Sequence, residues 1–357
     1  MSASDFPSRE TLESQVQALT DLIEVARAVV STIDLDTVLQ SILTSAMHFA
    51  ATPAGTLAAY DEKKKEFTLH SYEGLSAAFA KKECWDVMPG GLTDQVLEAG
   101  DIFFIEDVGQ ATYMNGPVEL AEGIISLICI PLKVQEEVVG ILHLADFVPR
   151  QFDREKMRLL SVFASFASMA IYNAKIHNRT KILAITDGLT GLYNHRYFRQ
   201  IFSQEIRRAK RYRKRFAILM IDVDDFKKFN DTYGHPTGDL ILVEIGRIIA
   251  RKLRKVDFAF RYGGEEFIVL LPEAGLDSAL LAAERLREAI ERETVEMLRG
   301  KTSEGVTVSI GVACYPEDGS DRGKLFKIVD ELLYRAKLFG KNKVYYQEKD
   351  SEASGSP

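Results

Sequence analysis

The sequence predicts an α+β protein of two domains joined by a long helix. Three observations carry that expectation. Two separate sets of short, β-branched apolar runs alternate with helical periodicities, the pattern of sheets packed against helices. Between the two sets, apolar residues recur at alternating steps of three and four from Leu159 to Leu183, the spacing of a helix that pairs with another helix. The length of 357 residues suits two domains, and an apolar content of 46% suffices for two cores.

Composition narrows the function classes. A formal net charge of −7 favours solubility and speaks against bulk binding to nucleic acid. The longest strongly apolar run, residues 123–132, is too short to cross a bilayer. No basic-then-apolar leader pattern opens the sequence. Cys84, Cys129 and Cys314 lie far apart, with neither disulfide nor zinc spacing. The expectation is a cytoplasmic protein with reduced thiols, without membrane or nucleic-acid partners.

Residues 1–10 are polar and read as a flexible terminus. Helical spacing of Leu12, Val16, Leu19, Ile23, Ala26 and Val30 follows. Asp34 is a candidate N-cap for a helix over residues 35–49. Strand-like runs cover residues 56–60, 67–72, 102–105, 124–131 and 138–144. This plan, over residues 11–153, resembles a GAF domain. The matching stretches are Ser126-Leu-Ile-Cys-Ile-Pro-Leu-Lys133, Val139-Gly-Ile-Leu-His-Leu144 and Phe152-Asp153. The resemblance implies a sensory and dimerising module of unnamed ligand. His70, Cys129 and His143 are candidate ligand-binding groups, although a single His or Cys in a strand is more often packed.

The joining helix occupies residues 154–186. Leu159, Val162, Phe166, Met169, Asn173, Ile176, Thr180 and Leu183 form a coiled-coil seam, with the polar Asn173 able to fix register. The expected assembly is a parallel homodimer. The alternative for residues 159–166 is packing on the preceding sheet, which is expected to end before Met169.

A cap-and-turn cluster, Thr186-Asp187-Gly188-Leu189-Thr190-Gly191, opens the second domain, residues 187–347. A helix over 197–212 carries the basic run Arg207, Arg208, Lys210, Arg211, Arg213, Lys214, Arg215, which reads as a solvated helix end. The buried-strand run 216–221 ends in Asp222-Val223-Asp224-Asp225. A helix over 238–253 leads to strands 256–260 and 268–271, which flank Arg261-Tyr262-Gly263-Gly264-Glu265-Glu266-Phe267. The two glycines suit a tight turn. Glu265 and Glu266 are expected on opposite faces of one strand, in separate roles. Asp222 and Asp224 are expected on a shared face. Carboxylates at the end of a buried strand are costly unless a cation offsets them, and a hard divalent ion does so with one or two carboxylates plus phosphates. A solvated acidic loop is the alternative. A helix over 278–294, a strand over 306–314, a helix over 324–339, a strand over 343–347 and a polar tail, 348–357, complete the chain.

These motifs together resemble the GGDEF family of diguanylate cyclases, in its Gly-Gly-Glu-Glu-Phe form, over residues 187–346. Further matches are Asp187-Gly-Leu-Thr-Gly-Leu-Tyr-Asn194, Asn230-Asp-Thr-Tyr-Gly-His235, Gly238-Asp239, Ser309-Ile-Gly-Val-Ala313 and Tyr334-Arg-Ala-Lys337. The resemblance implies condensation of two GTP into cyclic di-GMP and two pyrophosphates, with Mg²⁺ or Mn²⁺ on Asp222, the Val223 carbonyl and Glu265. It places Glu266 at the attacking hydroxyl and Asn230 and Asp239 on guanine. Phe226 and Lys227 fall in the phosphate-holding turn, and Lys337 and Lys341 on the triphosphate. Lys341 departs from the family's frequent Arg, keeping the charge but losing a bidentate fork. Arg254, Asp257 and Arg285 match its product-inhibition site. A GGDEF domain that only binds GTP or cyclic di-GMP is the alternative, disfavoured by the intact acidic set.

Overall fold

The structure, a computed structural model, describes residues 34–81, 83–108, 122–151, 154–298 and 305–348, together with Ile23. The helix expected over 11–30, apart from Ile23, the Phe152-Asp153 pair and the tail beyond Glu348 lie outside the described residues. The chain divides into two compact units between Arg179 and Thr180.

In the first unit, Asp34 caps α1 (Leu35–Ala50) by accepting the Thr37 N–H. There follow β1 (Ala54–Asp61), β2 (Glu66–Glu73), α2 (Ala77–Ala80), β3 (Cys84–Asp86), α3 (Leu92–Ala99), β4 (Phe103–Ile105), β5 (Ser126–Val134), β6 (Glu137–Asp146) and α4 (Arg154–Ile185). The strands form one antiparallel sheet in the order β3-β2-β1-β6-β5-β4. One sheet face packs Leu57, Ile128 and Leu142 with Leu39 of α1 and Phe163 of α4. The other packs Ala58, Phe67 and Ile141 with Leu92 and Val96 of α3. The sequence reading gives no element at α2, β3 or α3, which are too short to show a period.

Two faces of α4 behave differently. Leu160, Phe163, Ala164, Ala167, Ala170 and Ile171 are buried in the sheet core. The seam residues Val162, Met169, Ile176 and Leu183 are exposed. The sheet therefore does not end before Met169, because Ala170 and Ile171 still cover it; the helix packs one face and offers the other. Residues Met157–Ile185 are also long and apolar enough, by length and composition, to cross a membrane. Within that stretch Phe163, Ala167 and Ile171 are buried in the sheet core, while Val162, Met169 and Ile176 are exposed.

The second unit runs β7 (Tyr193–Asn194), α5 (His195–Tyr212), β8 (Phe216–Val223), α6 (Phe226–Tyr233), α7 (His235–Lys252), β9 (Phe258–Gly263), β10 (Glu266–Pro272), α8 (Leu276–Met297), β11 (Val308–Tyr315), α9 (Arg322–Leu338) and β12 (Val344–Tyr346). Its sheet order is β12-β11-β8-β10-β9-β7. Every residue of β8 is buried, which explains its unbroken apolar run. Leu219, Ile221 and Phe267 face Ile241 of α7 and Leu286 of α8. Ile218, Met220 and Ile268 face Phe198 of α5 and Leu333 of α9. Helix α6 has no counterpart in the sequence reading. Gly234, at φ +80°, separates it from α7, so two helices stand where one was expected to begin at residue 238.

Candidate active site

The site forms where β8 ends. Asp222 is in register with Glu266 of β10 on one side and Ser309 of β11 on the other. Adjacent residues in register project to the same face, here the face covered by α9. From α9, Lys337 Nζ lies 2.8 Å from Asp222 Oδ2. Asp222 is only 5% exposed. Its burial holds the carboxyl above the usual range, against the pull of Lys337. Burial, then the nearby Asp222, raises Glu266 as well.

The hairpin turn differs in detail from the expectation. Only Gly264 has positive φ, +50°; Gly263 closes β9 and pairs with Glu266. Positive φ at the first loop residue alone is the sign pattern of a type II′ turn. Glu265 therefore leaves from the turn, and Glu266 is the first residue of its strand. Arg261 fixes this turn. Its Nε and Nη2 donate to the Gly264 carbonyl at 3.0 and 2.8 Å. Its Nη1 donates to Asp187 at 3.1 Å. Asp187 in turn accepts the Thr190 N–H and hydroxyl at 2.9 and 2.7 Å.

The three aspartates after β8 have separate surroundings. Asp224 is buried and accepts the Thr307 and Ser309 hydroxyls at 2.8 and 2.7 Å and the Asn342 N–H at 3.0 Å. Asp225, at φ +54°, opens α6 and pairs with Lys341 at 2.7 Å. That pair holds Asp225 below, and Lys341 above, its ordinary range. Val223 is buried, and its N–H reaches the Glu265 carbonyl at 3.4 Å. The Phe226 ring belongs to the core. What Phe226 and the exposed Lys227 offer outward is the N-terminus of α6, with backbone donors suited to an anion.

Asn230 of α6 stands against Gly238 of α7, so close that a Cβ at Gly238 would overlap Asn230 Oδ1. Asn230 Oδ1 is buried without a hydrogen-bond partner among the described residues. Asp239 is the next residue and is exposed. An unsatisfied buried acceptor beside an exposed carboxylate fits a ligand edge bearing donors. The sequence gives Gly238 no reason of its own; the close approach supplies one.

A second cluster lies at the end of α7. Asp257 accepts the Arg254 backbone N–H at 2.9 Å, and Arg285 Nη2 donates to the Lys252 carbonyl at 2.9 Å. Arg254 and Arg285 are exposed and flank one chain turn. Among the described contacts Arg254 and Asp257 form no ion pair; Asp257 is engaged by backbone.

Among the described residues, no group of three or more His, Cys, Asp or Glu side chains is arranged to hold a metal. Asp222 and Glu265 are nonetheless hard oxygen donors whose mutual repulsion contributes to raising Asp222. Two carboxylates fit an ion that takes its remaining ligands from phosphate and water. In the first unit, His70 pairs with Asp36 at 2.6 Å. His143 Nδ1 lies 3.2 Å from Thr56 Oγ1. Burial pushes His143 down to about 4. Cys129 is opposite His143 across β5 and β6 and is buried.

The family model for the diguanylate cyclase GGDEF domain matches residues 184–343, and that for the GAF domain matches residues 32–171. Diguanylate cyclase A of Treponema denticola is 36% identical over 220 residues, 60% of this chain and 58% of that protein. Diguanylate cyclase DosC of Escherichia coli is 41% identical over 158 residues, 44% of this chain and 34% of that protein. The crystal structure of the GGDEF domain of DgcB from Caulobacter crescentus, in complex with c-di-GMP, is 32% identical with a TM-score of 0.43, covering 46% of this chain and 94% of that one. The chain spans less than two thirds of either curated relative.

Proposed function

We propose, from the match of residues 184–343 to the GGDEF family model and of residues 32–171 to the GAF model, that the protein is a diguanylate cyclase. It condenses two GTP into cyclic di-GMP and two pyrophosphates. The observation that carries this reading is the register of Asp222 with Glu266, beside the Glu265 turn and under Lys337.

Each new bond joins a 3′-hydroxyl to an α-phosphate, so the site must position both and offset charge on the leaving group. Glu266, held above the ordinary carboxyl range by burial and Asp222, sits at the attacking hydroxyl. Lys337 and Lys341 take the triphosphate, with the α6 N-terminus at Phe226 and Lys227 as the anion cradle. Asn230 and Asp239 read the guanine edge, where adenine would leave buried groups unmatched. Mg²⁺ or Mn²⁺ held by Asp222, the Val223 carbonyl and Glu265 would supply charge neutralisation and a more acidic hydroxyl.

Arg254, Asp257 and Arg285 form the product-inhibition site. The exposed Arg254 guanidinium, without a partner among the described residues, supports that reading, since an arginine fork suits phosphate and guanine stacking. One GGDEF domain holds one GTP, so turnover needs two chains, and the exposed seam of α4 supplies a parallel homodimer. Signal at the GAF domain, from a small molecule whose identity the fold leaves open, changes how often the two half-sites face each other. The protein acts in the cytoplasm, where its substrate is.

The test is product analysis after incubating purified protein with GTP and Mg²⁺, beside Glu266→Gln. Cyclic di-GMP from the parent and none from the variant is the expected result. GTP binding without product, even when residues 187–357 are fused to a dimerising zipper, would replace the enzyme by a nucleotide receptor.

A further inference from the structure

The turn after α9 is held in a costly conformation by a contact to a different helix. Gly340, Lys341 and Asn342 have φ of +111°, +58° and +44° in succession. Glycine adopts this region freely and asparagine tolerates it, but a lysine there must be held by its surroundings. The surroundings are specific. The Lys341 N–H donates to the Ala336 carbonyl at 3.1 Å. Arg287 of α8 donates Nη1 to Asn342 Oδ1 at 2.8 Å, and Asn342 Nδ2 donates to Glu291 Oε1 at 3.0 Å. The Asn342 N–H meets Asp224 at 3.0 Å. Arg287 is itself fixed between Glu284 at 2.8 Å and Glu291 at 3.1 Å, with its side chain 16% exposed.

Asn342 thus ties three segments together: α8, the end of β8 and the turn bearing Lys341. The outcome is the position of one ammonium group, Lys341 Nζ, at 2.7 Å from Asp225. Apart from this side-chain clamp, only two backbone donors, the Lys341 N–H to Ala336 and the Asn342 N–H to Asp224, hold the turn among the described contacts. Lys341 has a long, flexible stem, and as a point charge it must be placed by its backbone.

We propose that Asn342, clamped by Arg287, is a positioning residue that aims Lys341 at the triphosphate. This rests on the GTP-binding reading of the site. The role is remote from the reacting atoms, so it affects nucleotide capture more than the bond-making step.

The experiment uses the full chain and two readouts, equilibrium binding of a non-hydrolysable GTP analogue and steady-state kinetics. Asn342→Gly keeps the left-handed backbone accessible while removing the Arg287 and Glu291 contacts. The expected result is a KM for GTP raised about tenfold with kcat changed less than about twofold, and analogue binding weakened in proportion. Lys341→Ala provides the decisive background. If Asn342 acts through Lys341, adding Asn342→Gly to Lys341→Ala brings no further loss, whereas a merely structural role gives additive losses in both backgrounds. Additive losses, or unchanged analogue binding in Asn342→Gly, would overturn the proposal. A parent that fails to bind the analogue at all would overturn the GTP reading, and this proposal with it.

Discussion

Lys337 Nζ rests 2.8 Å from Asp222 Oδ2 and is the one cation in contact with that buried carboxylate among the described residues. The pair is a resting arrangement of groups that the proposed reaction uses apart. In that proposal Lys337 would serve the triphosphate and Asp222 the metal. Lys337→Ala should therefore lower kcat/KM by about 100-fold, the range seen when one preorganised charge donor is removed. Asp222 can protonate in the variant, since burial already raises its carboxyl, so the fold should survive. Steady-state kinetics with a parallel thermal melt separates these outcomes. A folded variant with parental kcat/KM would remove Lys337 from the site.

Gly238 is where a single methyl group should matter most. A Cβ there overlaps Asn230 Oδ1, forcing away the acceptor that is buried without a partner. Gly238→Ala should raise KM for GTP and cut the preference for GTP over ATP by about tenfold or more, because recognition of a base edge depends on matched buried polar groups. Competition between the two nucleotides measures it. Parental discrimination in the variant would mean that Asn230 does not read the base.

The sequence made some of this legible and hid the rest for physical reasons. The buried strand β8 shows because the apolar run 216–221 has few other meanings, and Asp222 shows because carboxylates at its end stand out. The hairpin shows through its glycines, although which of them takes the positive φ depends on the bulge between β9 and β10. Helix α6 was hidden: it follows an αL residue, Asp225, and has no side-chain cap. The roles of Arg261 and Asn342 were hidden as well. Each works through contacts to residues 74, 55 or 118 positions away in sequence, and no local pattern records such partners. Asp224 reads as a site carboxylate by spacing, yet its oxygens are satisfied by Thr307, Ser309 and Asn342, which makes it a structural group.

The exposed edge of α4 predicts assembly. Met169, Ile176 and Leu183 are 52%, 43% and 69% exposed on a helix whose burial in the sheet core ends at Ile171. Such a seam is stable when covered by its counterpart in a second chain. Replacing Ile176 and Leu183 together with Glu should convert the dimer to a monomer in light scattering at micromolar concentration. Cyclic di-GMP formation should fall in parallel and return when a zipper is fused in place of the seam. A parent that is monomeric under those conditions would exclude this route to paired half-sites.

His143 makes the first domain sensitive to acid. Burial lowers its folded pKa to about 4 from an ordinary 6.5. Between those values the unfolded chain binds the extra proton and the folded chain does not, so stability rises with pH and is lost on acidification. The contribution is fully present above about pH 6.5 and declines toward pH 4, by up to about 3 kcal/mol. Trp85 reports the transition selectively, since it is the chain's single tryptophan and stacks on Phe67 of the same sheet. Melting followed by its fluorescence should drop between pH 7 and 5 in the parent and drop less in His143→Gln, which keeps a polar partner for Thr56 but cannot titrate. Equal slopes in both proteins would assign the acid sensitivity to other groups.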